Sequence, residues 1–271
     1  MGSRLAITLS ESALTQTWAA LRSGGRRALI PYLTAGFPTI ESSEAALRSA
    51  GDLADIIEVG VPFSDPLADG PTIQRSTFEA LRQGMTLSRT LDLIARVQSP
   101  RPIVIFSYLN PILRYGVDRF LSEAARLGVA GLILTDLPAG GDPDLESAVQ
   151  RSSLDLIRLI APTTTPERLA SAVQGAQGFV YLVSRLGVTG ATGSLASGLA
   201  GWVAAVRRAT PLPVAVGFGI STPEQAQRVA AMAEGVVVGS ALVEILGEHG
   251  VREATRFLRS LRKALDQESR S

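Results

Sequence analysis

Eight short runs rich in isoleucine, valine, leucine and alanine recur along this 271-residue chain, and an amphipathic stretch follows each of them. Such runs are typical of strands buried on both faces of a parallel sheet, and the stretches between them have the periodicity of surface helices. Eight successive units predict an α/β protein with a single (βα)8 TIM barrel over residues 1–271. The predicted strands are Ala28–Leu33, Asp55–Val59, Ile103–Ser107, Gly131–Thr135, Asp155–Ile160, Gly178–Val183, Val214–Gly217 and Gly235–Val238.

Two helices are predicted outside these eight units. The segment Ser10–Ser23 precedes the first strand, and its Leu14, Trp18 and Leu21 fall at helical spacing. We expect this extra N-terminal helix to close the bottom of the barrel with its apolar face. The segment Ala241–Leu246 predicts a short extra helix after strand eight.

The composition excludes several kinds of site. There is no cysteine, the only histidine is His249 and the only lysine is Lys263, both in the last segment of the chain. Histidine bases, Schiff-base lysines and metal sites are therefore not expected, which leaves carboxylates, tyrosine, arginine and backbone amides as catalytic groups. Scattered charges with a net value of +1 argue against nucleic acid as a partner.

The apolar runs are too short to span a membrane, and the N-terminal residues lack the pattern of a secretory signal. We therefore predict a cytoplasmic protein that acts on a metabolite.

Glycines follow the last two predicted strands, where this fold commonly binds phosphate. Gly219 comes after strand seven, and Gly239 precedes Ser240 at the start of the short extra helix. Glycine lets backbone N–H groups approach an anion, the helix N-terminus attracts it, and the serine hydroxyl adds a donor. The glycine-rich segment 187–190 after strand six is a further source of amides. The alternative is that these glycines only turn the chain.

An acidic residue, Glu58, stands near the end of strand two, where an apolar residue is expected. Burying an ionised carboxylate without a partner has a high free-energy cost, so burial can raise its pKa. Such a residue is a candidate general acid or base. The alternative is a carboxylate held by a barrel arginine or hydroxyl. Asp69 lies on the following loop, which three prolines stiffen, although acids are also ordinary turn residues.

Aromatic and aliphatic residues near the strand ends complete the predicted mouth. Tyr181 in strand six is predicted either to bind a mouth carboxylate or to pack in the core. An apolar slot beside the phosphate site is predicted from Tyr32, Phe106, Ile133, Phe218 and Val237.

Four segments resemble the tryptophan synthase α-subunit family. They are Pro-Tyr-Leu-Thr-Ala-Gly at 31–36, Glu-Val-Gly-Val-Pro-Phe-Ser-Asp-Pro-Leu-Ala-Asp-Gly-Pro at 58–71, Tyr-Leu-Val-Ser-Arg-Leu-Gly-Val-Thr-Gly at 181–190 and Gly-Phe-Gly-Ile-Ser at 217–221. The second segment is highly specific. The resemblance implies a lyase of tryptophan biosynthesis that cleaves indole-3-glycerol phosphate to indole and glyceraldehyde 3-phosphate by a retro-aldol reaction.

The resemblance also implies a role for individual residues. Glu58 and Asp69 match the family's two catalytic carboxylates, and Tyr181, expected beside Asp69, is the third implied catalytic residue. The implied phosphate contacts are Gly190, Gly219, Gly239 and Ser240, and the residues expected around the substrate are Tyr32, Ile73, Phe106, Thr189 and Phe218.

A partner is implied as well, because in this family a β-subunit that carries pyridoxal phosphate receives the indole in an α2β2 heterotetramer. No cofactor is expected in this chain. The loops Pro62–Pro71 and Tyr108–Arg114 match the segments that meet the β-subunit, with contacts expected from Pro62, Asp65, Pro66 and Asn110. The segment Leu186–Ser197 is expected to close over the substrate.

Some residues depart from the family's usual pattern, namely Phe37, Phe106 and Leu186, and they bear on the shape of the pocket and the lid. Three alternatives remain. The first is a free-standing lyase of the same fold. The second is a non-catalytic phosphate-binding subunit that activates a β-subunit. The third is another phosphate-binding barrel, such as an isomerase or a Schiff-base aldolase. The scarcity of lysine and histidine argues against the third.

Overall fold

Eight parallel strands pair in sequence order, and the last pairs with the first to close a barrel. The computed structural model describes residues 11–161, 163–183, 192–217 and 219–268. The strands are β1 Ala28–Thr34, β2 Ile57–Gly60, β3 Ile103–Ser107, β4 Val129–Leu134, β5 Asp155–Ile160, β6 Val180–Val183, β7 Val214–Gly217 and β8 Gly235–Val238. The predicted TIM barrel is confirmed.

The helices surround the barrel, and their buried faces pack on the outward-facing residues of the strands in one large core. In the described part of the chain they are α1 Ala13–Ser23, α2 Ile40–Leu53, α3 Pro71–Arg82, α4 Leu87–Val97, α5 Leu109–Tyr115, α6 Val117–Arg126, α7 Pro143–Arg151, α8 Pro166–Ala172, α9 Thr192–Ala209, α10 Pro223–Ala230 and α11 Ser240–Glu268. None of the helices in the described ranges is both long and apolar enough to cross a bilayer.

Helix α1 closes the bottom of the barrel, as its apolar spacing predicts. Its three buried side chains join the cluster that fills the barrel interior, and the Trp18 and Phe179 rings lie with their centroids 5.6 Å apart. Ser12 caps the helix by accepting from the Thr15 N–H and also donates a hydrogen bond to Asp155 at 2.5 Å. This plug leaves the opposite end, where the strands finish, as the open mouth.

Several predicted boundaries differ from the structure. Strand β2 begins at Ile57 rather than Asp55. The Asp55 carboxylate lies at the base of the barrel, where it accepts from the Leu29 N–H at 2.9 Å and pairs with Arg262 at 2.7 Å. The predicted short helix after strand eight is the first part of α11, which is interrupted where Gly250 adopts a φ of 78°.

Candidate active site

A cavity of about 420 Å³ opens at the mouth of the barrel, where the carboxyl ends of the strands converge. Loops that follow β2, β7 and β8 form its walls. Its lining residues are Tyr32, Asp69, Gly70, Ile73, Phe106, Tyr181, Gly219, Ile220, Ser221, Gln225, Gly239, Ser240, Ala241 and Glu244. The structure thus brings together residues that lie more than two hundred positions apart in the chain.

Glu58 points into the barrel from β2, directly opposite Tyr32 of β1 in the strand register. Its side chain is fully buried, and neither carboxylate oxygen has a hydrogen-bond partner in the described part of the chain. Burial raises the pKa of Glu58 to about 8. The only arginine in the eight strands, Arg158, pairs with Glu146 at 2.5 Å instead. The alternative in which an arginine or hydroxyl holds Glu58 therefore finds no support among these residues.

Asp69 reaches the cavity from the loop between β2 and α3. The side chain of Gln74 fixes this loop by donating to the Asp69 carbonyl at 3.0 Å and to the Pro66 carbonyl at 3.3 Å. Partial burial raises the pKa of Asp69 to about 6, and a hydrogen bond with the Tyr108 hydroxyl offsets part of that rise. The Tyr108 hydroxyl accepts from the Ala68 N–H at 2.8 Å, so its own proton is available to Asp69.

Two tyrosine rings cross the mouth above glycines at the strand ends. A Cβ at Gly60 would lie 2.0 Å from the Tyr32 hydroxyl, and a Cβ at Gly217 would lie 2.3 Å from the Tyr181 hydroxyl. Burial, and next the charge of Glu58, raise the pKa of Tyr181 well above its usual range. Tyr181 and Asp69 line one cavity, but the hydroxyl bonded to Asp69 is that of Tyr108, a residue that no sequence motif marks as part of the site.

The other end of the cavity has the features of an anion site. Gly219 adopts a φ of 77°, and it lies with Gly239 and Ser240 in the cavity wall. The Gln225 side chain accepts from the N–H groups of Ser221 and Thr222 at 2.7 and 3.2 Å. These two N–H groups, which precede α10, therefore already have a hydrogen-bond acceptor.

At the start of α11 the arrangement differs. Among the described residues at this helix start, Val243 is the first whose backbone N–H donates to a backbone carbonyl, that of Gly239. The preceding amides are therefore the available donors for an anion. No lysine or arginine lines the described cavity, and Glu244 lies on its rim.

The remaining predicted site residues have different positions. Ile73 and Phe106 line the cavity, whereas Ile133 and Val237 are packed inside the barrel and do not line it. Asp65 and Asn110 are exposed near the mouth, but Pro62 and Pro66 are buried. Residues 186–191, which include Thr189 and Gly190, lie outside the described residues, as does Phe218, and only the backbone of residues 192–197 is described. No cluster of potential metal ligands occurs within the described ranges.

The chain is similar to known proteins over nearly its whole length. The profile of the family described as tryptophan synthase alpha chain matches residues 18–269. A tryptophan synthase alpha chain from Geobacter sulfurreducens is 45% identical over 262 residues, which cover 94% of this chain and 99% of the relative. One from Synechococcus elongatus is 45% identical over 95% of this chain and 98% of the relative.

Solved structures give the same result. A tryptophan synthase structure from Mycobacterium tuberculosis matches with a TM-score of 0.87 and 40% identity, covering 94% of this chain and 99% of that one. The tryptophan synthase subunit alpha from Legionella pneumophila matches with a TM-score of 0.87 and 33% identity, covering 95% of this chain and all of that one.

Proposed function

The chain belongs to the tryptophan synthase alpha chain family, and from this membership we propose how its own residues carry out the family's reaction. It is a carbon–carbon lyase of tryptophan biosynthesis that cleaves indole-3-glycerol phosphate to indole and glyceraldehyde 3-phosphate. The observation that carries the residue assignment is the complete burial of Glu58 without a partner beside the mouth cavity. Such a carboxyl group exchanges its proton near neutral pH.

Glu58 serves as the proton shuttle. With a pKa of about 8 it is mostly protonated at pH 7 and is able to donate to C3 of the indole ring. The resulting carboxylate accepts the proton of the glycerol hydroxyl while the bond between C3 and the glycerol carbon breaks. The electrons of that bond return to the indole ring, the aldehyde forms, and Glu58 regains its proton. The protons balance, and no other reactant is needed.

Asp69 stabilises the intermediate cation. Its pKa of about 6 leaves it largely ionised at pH 7, and it lines the same cavity as Tyr32 and Phe106. Its carboxylate accepts a hydrogen bond from the indole N–H, where positive charge builds when C3 is protonated. The Tyr108 hydrogen bond holds this carboxylate in position. Tyr181 lies over Gly217 and maintains the shape of the cavity next to Glu58.

The phosphate group binds at the opposite end of the cavity, at the start of α11. The backbone amides there, the Ser240 hydroxyl and the loop at Gly219 are the donors in this proposal, and Gly190 contributes by family resemblance. Phe106 and Ile73 contact the indole ring from within the cavity, with Thr189 and Phe218 assigned by resemblance and Ile133 and Val237 packed below. Anchoring by backbone amides fits a chain with a single lysine.

We further propose a tryptophan synthase β-subunit as the partner, in an α2β2 assembly, with pyridoxal phosphate bound in that subunit and no cofactor in this chain. Exposed apolar side chains near the mouth support this docking surface, because Leu67 is 92% exposed and Leu113 is 50% exposed. Asp65 and Asn110 lie beside them on the same two segments, whereas Pro62 and Pro66 act by stiffening the loop. A phosphorylated substrate is consistent with a cytoplasmic location.

A coupled assay tests the proposal. Purified protein is incubated with indole-3-glycerol phosphate, with and without a tryptophan synthase β-subunit, and indole release is measured. We expect release that the β-subunit accelerates and that the Glu58→Gln variant lacks. Rapid turnover of the isolated chain without further activation would instead indicate a free-standing lyase. Activation of the β-subunit without any cleavage would indicate a non-catalytic subunit.

A further inference from the structure

The proposed proton transfers do not use the hydroxyl of Tyr32, although Tyr32 lines the cavity beside Glu58. The Tyr32 ring lies edge-on to Phe106, with the centroids 5.4 Å apart and the planes at 81°. Its hydroxyl lies over Gly60, which is two residues beyond Glu58 and on the same face of β2. The hydroxyl is therefore on the mouth side of the proposed proton shuttle, where the reacting part of a substrate would lie.

The proton of this hydroxyl has no short acceptor among the described residues. Ser76 donates its hydroxyl proton to the Ile73 carbonyl at 2.8 Å, so Thr34 is the donor in its 2.7 Å contact with Ser76. Thr34 is also the nearest partner of the Tyr32 hydroxyl, but at 3.5 Å the contact is long for two hydroxyl groups. A buried hydroxyl with such a weak contact retains the capacity to donate to a ligand.

Tyr32 also remains a donor at every pH at which the enzyme would work. Burial, and next the charge of Asp69, raise the pKa of Tyr32 well above its usual range, and Glu58 adds to the effect. The ionised form of Tyr32 is therefore disfavoured near neutral pH. The side chain cannot act as a base, but it can donate a hydrogen bond without losing its proton.

We propose that Tyr32 is a further catalytic residue whose hydroxyl donates a hydrogen bond to the glycerol oxygen from which Glu58 removes the proton. This inference rests on the proposed function. When that proton leaves and the carbon–carbon bond breaks, negative charge builds on the oxygen before the aldehyde is complete. A fixed neutral donor stabilises this charge more than it stabilises the bound substrate, so its main effect is on kcat. Tyr32 itself neither gains nor loses a proton.

The Tyr32→Phe variant removes the hydroxyl and keeps the ring against Phe106. The matched control is Tyr115→Phe, which removes a hydroxyl that donates to Glu123 at 2.6 Å on the outer helices. We expect Tyr32→Phe to lower kcat for indole-3-glycerol phosphate cleavage by roughly ten- to a hundredfold, while KM changes less than about threefold because the phosphate anchor is intact. The control is expected to retain wild-type kinetics.

Two results would overturn this role. A Tyr32→Phe enzyme with kcat within about twofold of wild type would make the hydroxyl a spectator, and a loss confined to KM would make it a binding group only. Thermal unfolding of both variants verifies that the comparison is made on folded protein. A wild-type protein that releases no indole would overturn the proposed function together with this inference, whereas a cleaving wild type with an unimpaired variant overturns the inference alone.

Discussion

Two buried carboxylates near β2 face opposite ends of the barrel and have opposite surroundings. Asp55, at the base, accepts from the Leu29 N–H at 2.9 Å, pairs with Arg262 at 2.7 Å and lies 3.5 Å from Arg26. Glu58, three positions later and nearer the mouth, has no partner among the described residues. Both side chains are at least 94% buried. Burial alone therefore does not determine what a carboxylate does in this protein.

The difference lies in charge compensation. At the base, a guanidinium group and a backbone N–H satisfy the carboxylate, so the ion pair links β1 to the terminal helix α11 and contributes to the fold. At the mouth, the missing partner leaves ionisation unfavourable, and the pKa of Glu58 rises to about 8. The carboxylate at the base therefore contributes to stability, whereas the one at the mouth lowers stability and is the group that we propose as the proton shuttle.

The largest effect is expected for Glu58→Gln. It should lower indole release by about a thousandfold or more, because the amide can neither donate nor accept the shuttled proton. The assay is the cleavage of indole-3-glycerol phosphate in the presence of the β-subunit. Activity within tenfold of wild type would remove Glu58 from the mechanism.

The same variant is expected to be more stable than wild type in a pH-dependent manner. The pKa of Glu58 is about 8 in the folded chain, against 4.5 for an ordinary glutamate. Between these two values the folded state binds more protons than the unfolded state, so the free energy of unfolding falls as pH rises. Glu58→Gln removes this dependence. Its advantage in the free energy of unfolding should be absent below pH 4.5 and reach up to about 3 kcal/mol at pH 7.

Asp55→Asn should lower the stability of the protein and leave its activity nearly unchanged, which is the reverse of Glu58→Gln. Loss of the charge leaves Arg262 buried without its partner, which costs about 3–5 kcal/mol in the free energy of unfolding, while kcat of the folded protein stays within about twofold. Denaturant unfolding measures the first and the cleavage assay the second. Asp266→Asn is the control, because Asp266 also contacts Arg262, at 2.8 Å, but is half-exposed; its cost should stay below about 1 kcal/mol.

The pH profile of kcat/KM is expected to be bell-shaped. Activity should fall about tenfold per unit below pH 6, where Asp69 becomes protonated, and above pH 8, where Glu58 loses its proton. Tyr108→Phe sharpens the assignment, because it removes the hydrogen bond that lowers the pKa of Asp69 and should move the acid limb upward. If the acid limb of the profile does not move in this variant, the limb does not report the protonation of Asp69.

The smallest effect is expected at the phosphate end. Ser240→Ala removes one donor and keeps the backbone amides, so KM should rise roughly three- to tenfold with little change in kcat. Ser260→Ala on the same helix is the matched control, because its hydroxyl only donates to the Phe257 carbonyl at 2.7 Å. Equal KM values for the two variants would argue against phosphate binding at Ser240.

The barrel was predictable from the sequence because its signal is local. Apolar runs of strand length alternate with helical periodicity, and each of the eight predicted strands overlaps an observed one. The predicted ends differ from the observed ones by a few residues, as in β2, which begins at Ile57 rather than Asp55. The depth of Ile133 and Val237 in the barrel was missed, because strand alternation gives the face of a residue but not its height relative to the cavity.

The site was predictable only in part. Glu58 stood out as an acid within an apolar strand, but the sequence left open whether an arginine compensates it, and only the spatial arrangement shows Arg158 paired with Glu146. The bond between Tyr108 and Asp69 joins the loops after β3 and β2, so no local pattern reports it. Gly60 is a position that the sequence does mark, because a glycine at a strand end indicates that another group, such as the ring of Tyr32, approaches the backbone closely.

The titration of Glu58 tests the central claim most directly. Carbon-13 labelling of glutamate side chains allows the carboxyl resonances of the free wild-type protein to be followed between pH 4 and pH 9 by NMR, and comparison with Glu58→Gln assigns the resonance. The account predicts that this resonance titrates near pH 8. A Glu58 resonance that titrates near 4.5, like an ordinary glutamate, would contradict it.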